Sequence, residues 1–218
     1  ESRFHVVLGH RPMDPNPVFP QELRFPNETN LAYVMDTIAD TAFFGDLSLA
    51  SDAEAYAWFG ISVSIDGDYA IVGAIDDYSQ SYKGAAYIYK RDASTGVWGS
   101  EQKIQAQQVD RFGRSVSISG DYAIVGAPYG DTYSTDAGAA YIYKRDPSTG
   151  VWGSEQNIVA SDIHCGARFG WSVGISGDYA IGAAVRRYSI TVAADSYTLN
   201  PSTGVWGSKQ KQPTEASH

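Results

Sequence analysis

The phrase Ser-Thr-Gly-Val-Trp-Gly-Ser occurs three times, and its tryptophans, Trp98, Trp152 and Trp206, follow one another at intervals of 54 residues. A fixed period of this length means that one supersecondary unit is written repeatedly. Such a unit cannot bury its apolar surface alone and needs copies of itself as neighbours. A second marker, Phe59-Gly60, Phe112-Gly113 and Phe169-Gly170, recurs at 53 and 57 residues, so length variation is confined to connections. The 218 residues suit one domain, or one domain with an appendage.

The middle copy reads as four strands. "FGRSVSI" is the first and "YAIVGAP" the second, joined by Ser119-Gly120-Asp121, which carries the Gly and Asp that a tight hairpin with positive φ requires. "GAAYIYKR", Gly138 to Arg145, is the third, rich in residues that suit a pleated surface. Asp146-Pro147-Ser148-Thr149-Gly150 is a turn, and "VWGSEQNIVA" is the fourth strand. The second strand, Tyr122 to Ala127, is apolar nearly throughout, which implies burial on both faces. Small residues (Gly126, Ala127, Ala139, Ala140) would let adjacent sheets approach closely. A period near 50 and a four-stranded unit predict blades of a β-propeller.

The pairing of Phe112-Gly113 with Gly126-Ala127-Pro128 resembles the FG-GAP repeat of integrin α-subunit propellers and related extracellular propellers. The likeness covers roughly residues 46–211. Copy one has Gly73-Ala74-Ile75, without the proline. Copy three has Gly182-Ala183-Ala184 one position early, then "VRRYSITVAADSYTLN" where "GAAYIYKRD" is expected, and reads as a decayed or terminal blade. The family's calcium cage does not carry over. Copy two keeps one carboxylate in that loop, Asp121, copy one Asp66 and Asp68, copy three Asp178, whereas calcium takes six to eight oxygens. Asp68, Asp121 and Asp178 are read as turn formers.

The expected fold is therefore all-β: a partial or open propeller of about three four-stranded antiparallel blades, with an N-terminal arm and a short helix. The predicted blades are 59–111, 112–168 and 169–211 within a repeat region 46–211, followed by a tail 212–218. Propellers close with four to eight blades. Further blades, neighbouring subunits or the first 45 residues would have to cover the open faces. In the arm 1–45, residues 10–30 are dense in Pro and polar residues and read as extended. Leu31, Val34, Met35, Ile38 and Ala42 recur at helical spacing between a possible N-cap, Asn30, and Gly45, which predicts an amphipathic helix on a blade edge. Its polar face carries Asp36 and Asp40 and no Lys, which argues against a membrane-surface role. Ala50-Ser51-Asp52 precedes Phe59 as Ala160-Ser161-Asp162 precedes Phe169, so "GDLSLASD" reads as the fourth strand of a preceding blade.

A formal net charge of -9 disfavours nucleic acid and anionic membrane surfaces as partners. No run of about 18 apolar residues is present to span a bilayer. Cys165 is the single cysteine, so no intrachain disulfide is possible. Asn27-Glu28-Thr29 is a glycosylation sequon with Asn27 as acceptor. The chain opens at Glu1 without a charged-then-apolar leader, as expected of a mature product or a piece of a longer protein. Few lysines and many Gly, Ser, Thr and Tyr residues, with the Asn27 sequon, predict an extracellular or cell-surface location. His164 and Cys165 are adjacent, but neighbours on a strand point to opposite sides, and no partner motif makes them a nucleophile or metal pair. No catalytic constellation, metal site or cofactor loop is expected.

The connections between second and third strands vary most on an almost unchanged scaffold. They carry Asp76, Asp77 and Tyr78 in copy one, Tyr129, Asp131, Tyr133 and Asp136 in copy two, and Arg186 in copy three. In a propeller they emerge on one face, beside the fourth-to-first connections that include Arg111 and Arg168. Binding residues concentrate on such loops. Tyr beside Asp can stack on a sugar and accept its hydroxyls, or grip a cationic side chain; merely solvated polar loops would read the same way. The expected function is a non-enzymatic binding or adhesion module for a protein or glycan. Alternatives are a scaffold subunit docking into a larger assembly, and the non-catalytic propeller of a larger enzyme.

Overall fold

The computed structural model describes residues 5–6, 34–38, 41–44, 51–52, 57–76, 84–106, 111–131, 134–162, 164–185 and 192–212. These residues are all-β, with no helix among them. Three four-stranded antiparallel sheets follow one another as meanders. The first contains β4 (Ala57–Asp66), β5 (Tyr69–Asp76), β6 (Ala85–Arg91) and β7 (Trp98–Ile104). The second contains β8 (Ser115–Ser119), β9 (Tyr122–Ala127), β10 (Ala139–Arg145) and β11 (Trp152–Ile158). The third contains β12 (Phe169–Ser176), β13 (Tyr179–Val185), β14 (Val192–Asn200) and β15 (Val205–Gln212). Each sheet is one blade of a partial propeller, as the repeat predicts. Gly67, Gly120 and Gly177, with φ of 56°, 56° and 52°, turn the three first hairpins. Asp68 and Asp121 beside them also hold Arg91 and Arg145 of the third strands by ion pairs.

The blades interlock through backbone as well as apolar contact. A Cβ placed on Gly73 would lie 2.0 Å from the Gly113 carbonyl oxygen, and one on Gly126 would lie 2.1 Å from that of Gly170. The Phe-Gly pairs of blades two and three therefore dock against the glycine of the preceding blade's Gly-Ala pair, where only a hydrogen fits. Ser62 and Ser115 donate to the same two carbonyls, each at 2.9 Å. Gln102 and Gln156 clasp the main chain of Trp152 and Trp206 one blade on. Tyr69 meets Trp152 edge-on at 5.8 Å between centroids, and Tyr122 meets Trp206 at 5.4 Å. The Phe-Gly pair, the Gly-Ala pair and the tryptophan of the repeat thus each make a contact between adjacent copies. One apolar cluster, with Ile71, Ile88, Phe112 and Val125, fills the space between blades one and two, and another, with Ile124, Ile142, Phe169 and Tyr197, that between two and three.

The third blade is complete rather than decayed. Strand β14 pairs along β13 from Val192 opposite Val185 to Thr198 opposite Tyr179. The early glycine has a packing reason: Gly182 takes the register position of Val125, and a Cβ there would sit 2.2 Å from the ring of Phe169. The forward face of this blade lacks a neighbour among the described residues. Ile181 is 44% exposed where its counterparts Ile71 and Ile124 are 0%, and Tyr179 is 67% exposed.

The predicted N-terminal helix is corrected. Val34–Ile38 and Thr41–Phe44 are strands β2 and β3, paired antiparallel with Met35 opposite Phe44, and β1 (His5–Val6) pairs with β2. A short apolar run fits either period. The β-branched Val34, Thr37, Ile38 and Thr41 lose side-chain freedom in a helix and favour the pleated alternative. The rest of the arm, Asn27 included, lies outside the described residues.

Candidate functional site: the loop face between blades two and three

Two connections on the loop face are stitched together by backbone. Residues 134–138, leaving the second strand of blade two, run beside 164–169, which enter blade three. Gly166, Arg168 and Phe169 N–H groups donate to the carbonyls of Thr135, Asp136 and Ala137 at 2.9, 3.0 and 2.9 Å. The Asp131 carboxylate accepts the Asp136 N–H at 2.8 Å and fixes the loop from within. Local sequence explains the pairing: Gly138, with φ of 75°, lets the Phe169 backbone approach so closely that a Cβ would lie 2.2 Å from its oxygen.

Tyr129 is the centre of the face. The guanidinium carbons of Arg111 and Arg168 lie over its ring at 4.1 and 4.5 Å from the centroid. Trp171 is 6.3 Å from it in a tilted pair, and Arg114 lies over Trp171 at 4.7 Å. Each cation–ring contact is worth about 0.5–1 kcal/mol where solvent reaches it. Asp136 stands 3.9 Å from Arg168. The three non-glycine residues with positive φ among those described are Arg111 (55°), Asp136 (51°) and Arg168 (54°), all in this cluster. Each costs roughly 1–2 kcal/mol for an L-residue, so backbone strain is concentrated at this face.

Of the residues singled out by sequence, Tyr129, Asp131 and Asp136 come together here. Asp76 ends β5 opposite Ala57; Asp77, Tyr78, Tyr133 and Arg186 lie outside the described residues. The sequence reading named the connections carrying Arg111 and Arg168 but missed the arginines as site residues, and missed Arg114 and Trp171 altogether. A pattern was present: Arg111 and Arg168 both precede Phe-Gly, and Arg114 and Trp171 both follow it. The rings are already occupied by the chain's own cations, so the face offers guanidinium edges rather than bare aromatic surface.

Elsewhere the chemistry is structural. His164 Nδ1 lies 2.6 Å from the Asp162 carbonyl oxygen, and Cys165 is exposed. No group of three or more His, Cys, Asp or Glu that could hold a metal occurs among the described residues. Among the described residues, the segments before Phe59 and Phe169 each make a clasp of their own. Tyr87 donates to Asp52 at 2.8 Å, and Lys103 pairs with the same carboxylate. In blade three the roles invert. The buried Asp195 accepts from the Ser161 hydroxyl at 2.6 Å and the Ser161 N–H at 3.1 Å, while the Tyr197 hydroxyl donates to the Val159 carbonyl. Burial, with the Asp52 hydrogen bond second, pushes the Tyr87 phenol well above its usual range. Burial, with the Asp195 charge second, does the same to Tyr197. The Lys103 hydrogen bond holds Asp52 below the ordinary carboxylate range.

Interlocked four-stranded meanders with connections gathered on one face define a repeat protein of the β-propeller class. The FG-GAP repeat family matches at residues 49–89, 98–143 and 152–190, more than half of the chain, and the chain belongs to that family. No curated protein matches the chain. The family unit is offset from the blade: 98–143 holds β7 of blade one followed by β8, β9 and β10 of blade two. The units at 98–143 and 152–190 therefore each tie two sheets together.

Proposed function

We propose that the chain is a non-enzymatic, extracellular binding module that recognises a protein or a glycan through the loop face. The FG-GAP repeats support a propeller-like binding module. The observation that carries the finer reading is the convergence of Arg111 and Arg168 on Tyr129, with Asp136 facing Arg168, so that three separate connections meet at one ring. A near-constant scaffold spends its variation and its backbone strain there, which is where recognition usually concentrates. The test is binding to an immobilised panel of glycans and extracellular-matrix proteins. Tyr129→Ala and Asp131→Ala should abolish capture, while Val97→Thr, in the exposed turn before β7, should not. Capture that survives the loop-face changes removes the proposal.

A second reading, a scaffold subunit docked into a larger assembly, is favoured by the open forward face of blade three with Tyr179 and Ile181. Light scattering separates the two. A clean monomer supports the binding module, and a defined oligomer that Ile181→Asp dissolves supports the scaffold.

A further inference from the structure

We infer that the Arg114–Trp171 pair on this face is a docking point for a carboxylate side chain, Asp or Glu, of a partner protein; the inference rests on the binding-module reading and names its ligand chemistry. Among the described residues that contact this cluster, four groups carry charge besides Arg114. Asp131 is committed to the Asp136 backbone N–H, and Asp136 faces Arg168. Arg111 and Arg168 both lie over Tyr129. Arg114 differs from them. The residue is half-buried, its guanidinium lies over Trp171 at 4.7 Å, and it makes no ion pair or side-chain hydrogen bond among the described residues. A guanidinium held by its face keeps its N–H edge free, and that edge matches the two oxygens of a carboxylate. The ring fixes the side chain beforehand, so less rotamer freedom is lost on binding.

The ligand class follows from charge and from what the rings present. Neutral sugars stack on bare aromatic faces, and both rings here lie under the chain's own cations. A sulfated glycan requires an extended basic track. This chain carries a formal net charge of -9, and Asp131 and Asp136 flank the arginines, so a polyanion is repelled while one acidic side chain is admitted. A protein partner presenting a single Asp or Glu meets both conditions.

The test is an NMR titration of the full 15N-labelled chain, followed at the Arg Nε–H and Trp indole N–H resonances. The probes are acetyl-Gly-Gly-Asp-Gly-Gly-amide, the same peptide with Asn, and a sulfated heparin tetrasaccharide. The expected result is saturable shifts confined to Arg114 and Trp171 with the Asp peptide, about tenfold weaker binding of the Asn peptide, and loss in Arg114→Gln with an unchanged spectrum elsewhere. No shift with the Asp peptide, equal shifts with Asn, or tighter binding of the tetrasaccharide each overturns the inference. Failure here is distinct from failure of the binding-module reading. If Arg114→Gln leaves panel capture intact while Tyr129→Ala abolishes it, the module stands and the carboxylate site falls.

Discussion

Gln156 holds the main chain of Trp206 with both halves of its amide: Nε2 donates to the Trp206 carbonyl at 2.6 Å, and Oε1 accepts the Trp206 N–H at 2.9 Å. Gln102 does the same to Trp152 at 2.7 and 2.9 Å. Truncating the amide leaves a peptide N–H and C=O without partners between two sheets. Gln156→Ala is therefore expected to cost about 1–3 kcal/mol, and Gln156→Glu, which keeps the acceptor and loses the donor, a cost of the same sign. Urea denaturation measures both.

The glycines at the interlock should be far less tolerant than those in turns. Gly126→Ala sets a Cβ against the Gly170 backbone oxygen and forces two blades apart. Overpacking of this kind costs about 1–3 kcal/mol or more. Gly150→Ala meets open space, and its positive φ alone costs about 1–2 kcal/mol. Thermal unfolding should rank Gly126→Ala as the more damaging, with loop-face binding lost alongside stability.

Identical residues in the repeat should carry unequal energies. Ile124 is fully buried between blades, and Ile124→Ala should cost about 2–5 kcal/mol. Ile181, its counterpart on the open face, should cost less than about 1 kcal/mol. Equal costs, read by chemical denaturation, would mean that something covers the forward face of blade three in solution.

Alkaline pH should loosen the clasps. The phenols of Tyr87 and Tyr197 are raised in the folded chain, and an unfolded tyrosine ionises near pH ~10. The folded state therefore binds more protons in the window above that pH. Their contribution is whole below about pH 10 and is lost as pH rises beyond it. Tyr87→Phe and Tyr197→Phe should flatten the fall in melting temperature between about pH 9 and 11, while each lowers stability at neutral pH by the hydrogen bond it removes.

The fold was legible because the most sharply repeated residues sit where adjacent blades meet. The spacing of Trp98, Trp152 and Trp206 reports the clasp, and Phe-Gly with Gly-Ala reports the backbone docking. The N-terminal segment misled because five apolar residues satisfied a helical period while four β-branched ones favoured a strand, as the pairing of Val34–Ile38 with Thr41–Phe44 shows. Asp195 and Gly182 were opaque for another reason. Each makes sense only against a partner elsewhere in the chain, Ser161 for the first and the Phe169 ring for the second. The arginines over Tyr129 were hidden likewise. Variation between loops points to a face, but stacking between loops depends on how two blades turn toward each other.

Face-to-face stacking of successive blades is tested most directly by a double-mutant cycle on Tyr122 and Trp206, which lie 84 residues apart in sequence and meet edge-on at 5.4 Å. Tyr122→Leu, Trp206→Leu and the double variant, compared by urea denaturation, should give a coupling of about 0.5–1.5 kcal/mol. A coupling of zero would contradict the stacked arrangement on which the loop face depends.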